Sequence, residues 1–154
     1  MDWLRSTTTS AAGPTLLAWQ QQSHTRLGRW RFMRAWRRRV PYVGLLEPEL
    51  IELRASLCRV AMPLRHTPAI GGLCELAAGM VTEVTIPPAM QWSARGMAIE
   101  YLRPAQSDVR AIARLDKSEW TEAERVGVPV SVIDAADTEV ARAVVTMAVS
   151  VVKR

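Results

Sequence analysis

The run His66–Pro88 constrains the fold more than any other part of the 154-residue chain. It opens with His66-Thr67-Pro68, where Thr67 can cap a helix and Pro68, at the first helical position, has no amide to leave unsatisfied. AIGGLCELAAGMVTEV follows, apolar almost all round, and Ile86-Pro87-Pro88 closes it. A helix with so few polar positions belongs inside a protein. Its small residues Gly71, Gly72, Ala77, Ala78 and Gly79 let neighbouring backbone approach closely.

Strand-like segments flank this helix. Glu49–Ala61 alternates, with Leu50, Glu52, Arg54, Ser56 and Cys58 on one face and Ile51, Leu53, Ala55 and Leu57 on the other, which predicts one half-buried strand. Beyond the helix, Gln91–Leu102, Val109–Leu115, Val128–Asp134 and Glu139–Val152 predict four more, mainly antiparallel. Lys117–Arg125 reads as a charged loop or short helical turn, and Ala135–Thr138 as a hairpin connection. Ahead of all this, residues 1–14 form a polar, Ser/Thr-rich leader, residues 15–40 a helical segment that Gly28 can split, and residues 41–154 the main domain. The order predicts an α+β fold, a long sheet curling around one central helix and preceded by a basic amphipathic helix.

That basic helix holds nearly all of the excess charge. Arg26–Val40 carries seven arginines and no acid, whereas the remaining residues hold 13 basic against 15 acidic side chains. A generally basic surface for nucleic acid is therefore not expected. On a helical wheel Phe32, Met33, Trp36 and Val40 share an arc, with Trp30 at its margin, while Arg31, Arg34 and Arg38 point away; Arg29 and Arg37 intrude on the apolar arc. This predicts a helix laid over the sheet edge or a cleft mouth, its arginines either a solvated face or a local positive field. No apolar run approaches the roughly 20 residues of a membrane span. The two cysteines, Cys58 and Cys74, sit in apolar stretches and read as buried free thiols, which fits a cytoplasmic protein.

Glu75 is the most informative side chain, because from Thr67 to Thr82 it is the only ionisable group besides Cys74. Either Gly71, Glu75, Gly79 and Glu83, at four-residue spacing, form a narrow solvated stripe, or Glu75 faces a cleft as general base or nucleophile towards a bound carbonyl compound. His66 is either a structural residue beside the cap or part of that site, where helix-opening amides of Thr67, Ala69 and Ile70 could meet developing negative charge. The spacing of Cys58, Cys74, His24 and His66 does not suggest zinc, and no phosphate-loop or Gly-x-Ser-x-Gly pattern occurs.

The run Gly72–Val84, continued by Ile86-Pro87-Pro88-Ala89-Met90, resembles the central helix of a branch of small thioesterase-like proteins within the hot-dog fold thioesterase superfamily. Gln91-Trp92, Arg95-Gly96-Met97 and Glu100-Tyr101-Leu102 resemble the strand that follows it. The resemblance implies a hot-dog fold and hydrolysis of an acyl-CoA or acyl-carrier-protein thioester, with no cofactor beyond the CoA of the substrate. It places Glu75 as the helix carboxylate, His66 at the helix opening, and the Thr67 amide against the thioester oxygen. It also implies a homodimer or dimer of dimers with the substrate in a cleft between subunits. Arg95, Gly96 and Arg103 are candidate substrate contacts, the two arginines otherwise reading as solvated strand-edge residues. Val60–Arg65 lacks the Asn and Gly common before that histidine, and Pro68 replaces a possible amide donor; a non-catalytic acyl- or CoA-binding module is the alternative. No metal, nucleic acid or integral membrane association is expected.

Overall fold

A computed structural model describes residues 13–40, 43–64 and 69–152. Six antiparallel strands, β1 (Glu49–Arg54), β2 (Leu57–Met62), β3 (Met90–Tyr101), β4 (Val109–Arg114), β5 (Ala123–Ile133) and β6 (Glu139–Val151), form one curved sheet in the order β1-β2-β4-β5-β6-β3. Helices α1 (Pro14–Gln22), α2 (Arg26–Arg39), the single turn α3 (Val43–Leu46) and α4 (Ile70–Thr85) complete it. The sheet wraps α4, which touches all six strands. The leader over residues 1–12 and the helix opening at His66, Thr67 and Pro68 lie outside the described residues.

Burial explains α4. Leu73, Cys74, Ala77, Ala78, Met80 and Val81 are completely enclosed, and regular helix runs from Ile70, with Ala69 at its N-cap two residues later than a cap at Thr67 predicts, to the break at Ile86. Thr82, the buried polar residue of this core, satisfies its hydroxyl by donating to the Ala78 carbonyl at 2.7 Å. On β6 the period-two pattern places Ala141, Ala143, Val145, Met147 and Val149 against α4, and β5 adds Val128, Val130 and Val132. Pro129 is tolerated because the β4 ladder stops at Val130, leaving β5 paired with β6 alone from there outward.

Three expectations require correction. Glu49–Ala61 is not one strand but the hairpin β1–β2, turning at Ala55-Ser56 with Ser56 in the left-handed region (φ 72°). The turn is held from outside: its Ser56 amide donates to Thr85 Oγ1 at 2.9 Å, and its carbonyl accepts from the Leu115 amide at 3.1 Å. A register shift between Leu50 and Glu52 then brings Leu50 and Leu53 both into the core, against the simple alternation. Next, Lys117–Arg125 is not wholly loop, because β5 begins at Ala123 and follows β6 to Ser150. Finally, the N-terminal helices break at Ser23–Thr25 rather than at Gly28. Thr25 caps α2 by accepting from the Gly28 amide at 3.0 Å, and a side chain at Gly28 would overlap the Gln22 carbonyl.

Phe32, Met33 and Trp36 of α2 are buried, with Phe32 edge-on to Trp19 of α1 at 5.2 Å between ring centroids. The helix rests on α1, α3 and the edge strand β1.

Candidate functional site

The stripe Gly71, Glu75, Gly79 and Glu83 faces β3 rather than open water. At one end the Met97 side chain rides over Gly71, where an added Cβ would sit 3.2 Å from Met97 Cε. Further along, the Trp92 ring lies on Gly79, where an added Cβ would stand only 2.7 Å from Cη2. The two glycines thus admit two bulky β3 side chains, and Glu75 occupies the gap between them. Its partly buried carboxylate lines a cavity of about 250 Å³ with Ala94, Gly96, Met97 and Val145. Among the described residues, no donor is placed to hydrogen-bond it.

The strand itself is irregular here. Register on β6 passes from Ala94↔Met147 to Gly96↔Thr146, so Arg95 is an extra residue with no cross-strand partner. Such a bulge bends the strand and re-aims its side chains, and it stands directly at the Glu75 cavity. Arg95 is exposed on this bulge. Arg103 is not brought to the same place: it follows the far end of β3, its amide donating to Val140 O at 3.3 Å, roughly 25 Å of extended chain from Arg95. Glu75 and Gly96 therefore share one cavity, Arg95 stands next to Gly96 on the bulge without lining it, Arg103 is remote, and His66 and Thr67 fall outside the described residues. The helix opening at Ile70 lies five residues, about 7.5 Å along the axis, before Glu75.

Glu83 closes the other end of the stripe. Its Oε1 accepts from Thr15 Oγ1 at 2.9 Å and lies 3.5 Å from Arg39 Nη1, while Oε2 accepts from Trp92 Nε1 at 2.6 Å. One carboxylate thus joins α1, α2 and β3 to the central helix. The sequence points to the stripe, and to Gln91-Trp92 as part of the strand after the helix, but carries no sign that Trp92, Thr15 and Arg39 meet at Glu83.

Cysteine chemistry is disfavoured. Burial pushes the Cys74 thiol up to about 12, and burial, reinforced by Glu52, pushes Cys58 higher still. Neither yields thiolate near neutrality. We expect the native protein at pH 8 to leave both thiols unreactive to a colorimetric disulfide reagent and to release two on denaturation; a fast-reacting thiol in the native state would contradict this. Because the folded-state values are raised, these thiols hold their protons when the unfolded chain, near 9, releases them. Stability should fall above about pH 9, by roughly 1.4 kcal/mol per pH unit per thiol until the folded value is reached.

A larger depression of about 640 Å³ crosses the outward face of the sheet between Ala98, Ile112, Ser131, Arg142 and Val144. Its two carboxylates are already engaged, Glu100 with Arg142 at 2.9 Å and Glu139 with Ser131 at 2.8 Å, so that beside Arg114 it offers no counterpart to Glu75, whose carboxylate has no partner among the described residues. Among the described residues no group of three or more His, Cys, Asp and Glu side chains could hold a metal ion, and no helix is long and apolar enough to cross a membrane.

Comparison with known proteins agrees with this architecture. The crystal structure of a structural-genomics target protein superposes with a TM-score of 0.76 at 32% identity, over 90% of this chain and 98% of the other. A Pseudomonas aeruginosa protein described as a probable thioesterase gives 0.69 at 17% identity, covering 93% and 99% of the two chains. A Haemophilus influenzae thioesterase gives 0.67 at 12% identity over 80% and 92%. No functionally curated protein matches the sequence significantly. The fold is the hot-dog fold that these thioesterases share. A family model described as a domain of unknown function, DUF4442, matches residues 28–149, beginning inside α2, and the chain belongs to that family.

Proposed function

We propose that this protein hydrolyses an acyl-CoA or acyl-carrier-protein thioester in a cleft between two subunits. The observation that carries the reading is the partly buried carboxylate of Glu75, without a hydrogen-bond partner among the described residues, held between α4 and the bulge of β3. In this reading Glu75 takes a proton from water and the water oxygen adds to the thioester carbonyl. Amides at the helix opening, with Thr67 and His66 beside them, receive the resulting oxyanion. The C–S bond then breaks, and the departing thiolate takes a proton to leave a free thiol and a carboxylic acid. Direct attack by Glu75, through an anhydride later hydrolysed, uses the same geometry. Arg95 on the bulge would meet substrate phosphates beside Gly96, with Arg103 reaching a more distant part of the carrier. No cofactor is needed beyond the CoA of the substrate, and the two free thiols suit a cytoplasmic setting.

Two features support an intersubunit cleft. The Glu75 cavity, at about 250 Å³, is below the 300–1,000 Å³ typical of a small-molecule site. Its open side adjoins β3, a 12-residue edge strand that is exposed over most of its length and, among the described residues, pairs only with β6. A long free edge favours pairing with another strand, so a second copy would cover it and enlarge the cavity together. The probable thioesterase of P. aeruginosa and the thioesterase of H. influenzae, which share the fold, support the substrate class.

Steady-state hydrolysis by the wild-type protein across a panel of short- to long-chain acyl-CoAs and acyl-carrier thioesters tests the proposal. Saturable thiol release with at least one substrate is expected. Saturable binding without turnover would instead assign the non-catalytic acyl- or CoA-binding module, and neither binding nor turnover would overturn both.

A further inference from the structure

The outward face of α2 takes no part in the Glu75 cavity and is chemically distinct from the face it buries. With Phe32, Met33 and Trp36 turned inward, the opposite arc of the helix, at about 100° per residue, carries Leu27, Arg31, Arg34 and Arg38, with Trp30 at its edge, where it also lines a small cavity with Met33 and Leu50. All five are exposed, Leu27 at 66% and Trp30 at 51%. The Arg34 guanidinium lies over the Trp30 ring, 5.1 Å from its centroid. Among the described residues Arg39 meets Glu83, but Arg31, Arg34 and Arg38 meet no acid. The cationic side chains from Arg26 to Arg39 are all arginine, with neither lysine nor acid among them.

This chemistry selects its partner. Guanidinium groups bind phosphate oxygens in pairs and are less strongly hydrated than ammonium groups, so an arginine-only face suits a layer of phosphates. A nucleic-acid backbone would satisfy the arginines but leave Leu27 and Trp30 in water. An anionic bilayer satisfies both, since phosphates and the acyl boundary lie within one interfacial layer and tryptophan prefers that depth. The 14-residue helix is about 21 Å long and lies along the body, which presents the arc lengthwise to a plane. Because its aromatic inner face is already covered, it docks and does not insert bodily.

We propose that the outward face of α2 docks this protein on an anionic phospholipid bilayer, with Arg31, Arg34 and Arg38 on lipid phosphates and Leu27 and Trp30 in the headgroup layer. The inference is independent of whether Glu75 hydrolyses a thioester. The test is co-sedimentation of the full chain with phosphatidylcholine vesicles, with and without phosphatidylglycerol, in low and high salt. Binding is expected only to the anionic vesicles, weakening as salt rises. Arg31→Gln/Arg34→Gln/Arg38→Gln should weaken binding about fivefold per arginine, roughly a hundredfold in all. Leu27→Ser/Trp30→Ser should bind more weakly than wild type with the salt dependence retained. These side chains lie outside the core, so thermal midpoints should not move, and the wild-type comparison of the two vesicle types stands without any variant. Equal binding to neutral vesicles, no binding to either, or an unweakened triple variant would overturn the proposal. So would a duplex DNA affinity exceeding that for anionic vesicles and lost in the same triple variant, which would reassign the face to nucleic acid.

Discussion

Glu75→Gln is expected to lower kcat for thioester hydrolysis by about two to four orders of magnitude while leaving KM and the thermal midpoint nearly unchanged. The substitution keeps side-chain volume, so the contacts that shape the cavity, with Met97 and Val145, are retained. Stability should be indifferent because, among the described residues, the carboxylate accepts no hydrogen bond that glutamine would forfeit. Partial burial of a charge is itself unfavourable, so a small gain in stability is the expected sign. Loss of rate with intact binding is what removal of a proton acceptor predicts; loss of both would point to a role in holding substrate. The measurement is a steady-state comparison on the best substrate of the wild-type panel, with binding followed separately by calorimetry. Equal rates for the two proteins would remove Glu75 from the chemistry even if the wild type proves to be a hydrolase.

How far the sequence reveals this arrangement depends on where the information resides. The body and C-terminal end of α4 are legible because its apolar run and the proline pair after Ile86 are local signals, and β6 is legible because its period-two burial spans many residues. The hairpin at Ala55-Ser56 is not, since it contains no Gly, Asn or Pro and is fixed by Thr85 and Leu115, contacts that exist only in the folded chain. The start of β5 is hidden for a related reason: from Ala123 to Gly127 the strand pairs with β6 alone and stays largely exposed, so a charged composition suits it as well as it suits a loop. At the site, the isolation of Glu75 on an apolar helix is visible in the sequence. Its setting is not, because Met97 and Trp92, which bracket it, and Val145 beside it come from two strands whose register includes a bulge.

The bracketing of Glu75 makes a further strong prediction, that Gly79→Ala reverses its effect on stability according to what stands at position 92. In the wild type the new Cβ would lie 2.7 Å from Trp92 Cη2 and 3.3 Å from Cζ3, so the ring must move. Overpacking of this kind costs about 1–3 kcal/mol. The same substitution gains about 1 kcal/mol of helix propensity, so the net expectation is destabilisation by about 1 kcal/mol. Any shift of the ring also disturbs the Trp92 Nε1 bond to Glu83 Oε2, through which α1 and α2 are tied to the central helix. Trp92→Ala alone should cost about 3 kcal/mol, towards the lower end for a large aromatic because the ring is only partly buried. With the ring gone, Gly79→Ala meets no obstacle and should stabilise by up to about 1 kcal/mol, a coupling of roughly 2 kcal/mol between the two positions. Denaturant unfolding of the four proteins in a double-mutant cycle measures it. The same cost for Gly79→Ala in both backgrounds would mean that Trp92 does not rest on Gly79, and the gap that holds Glu75 would then lack one of its two walls.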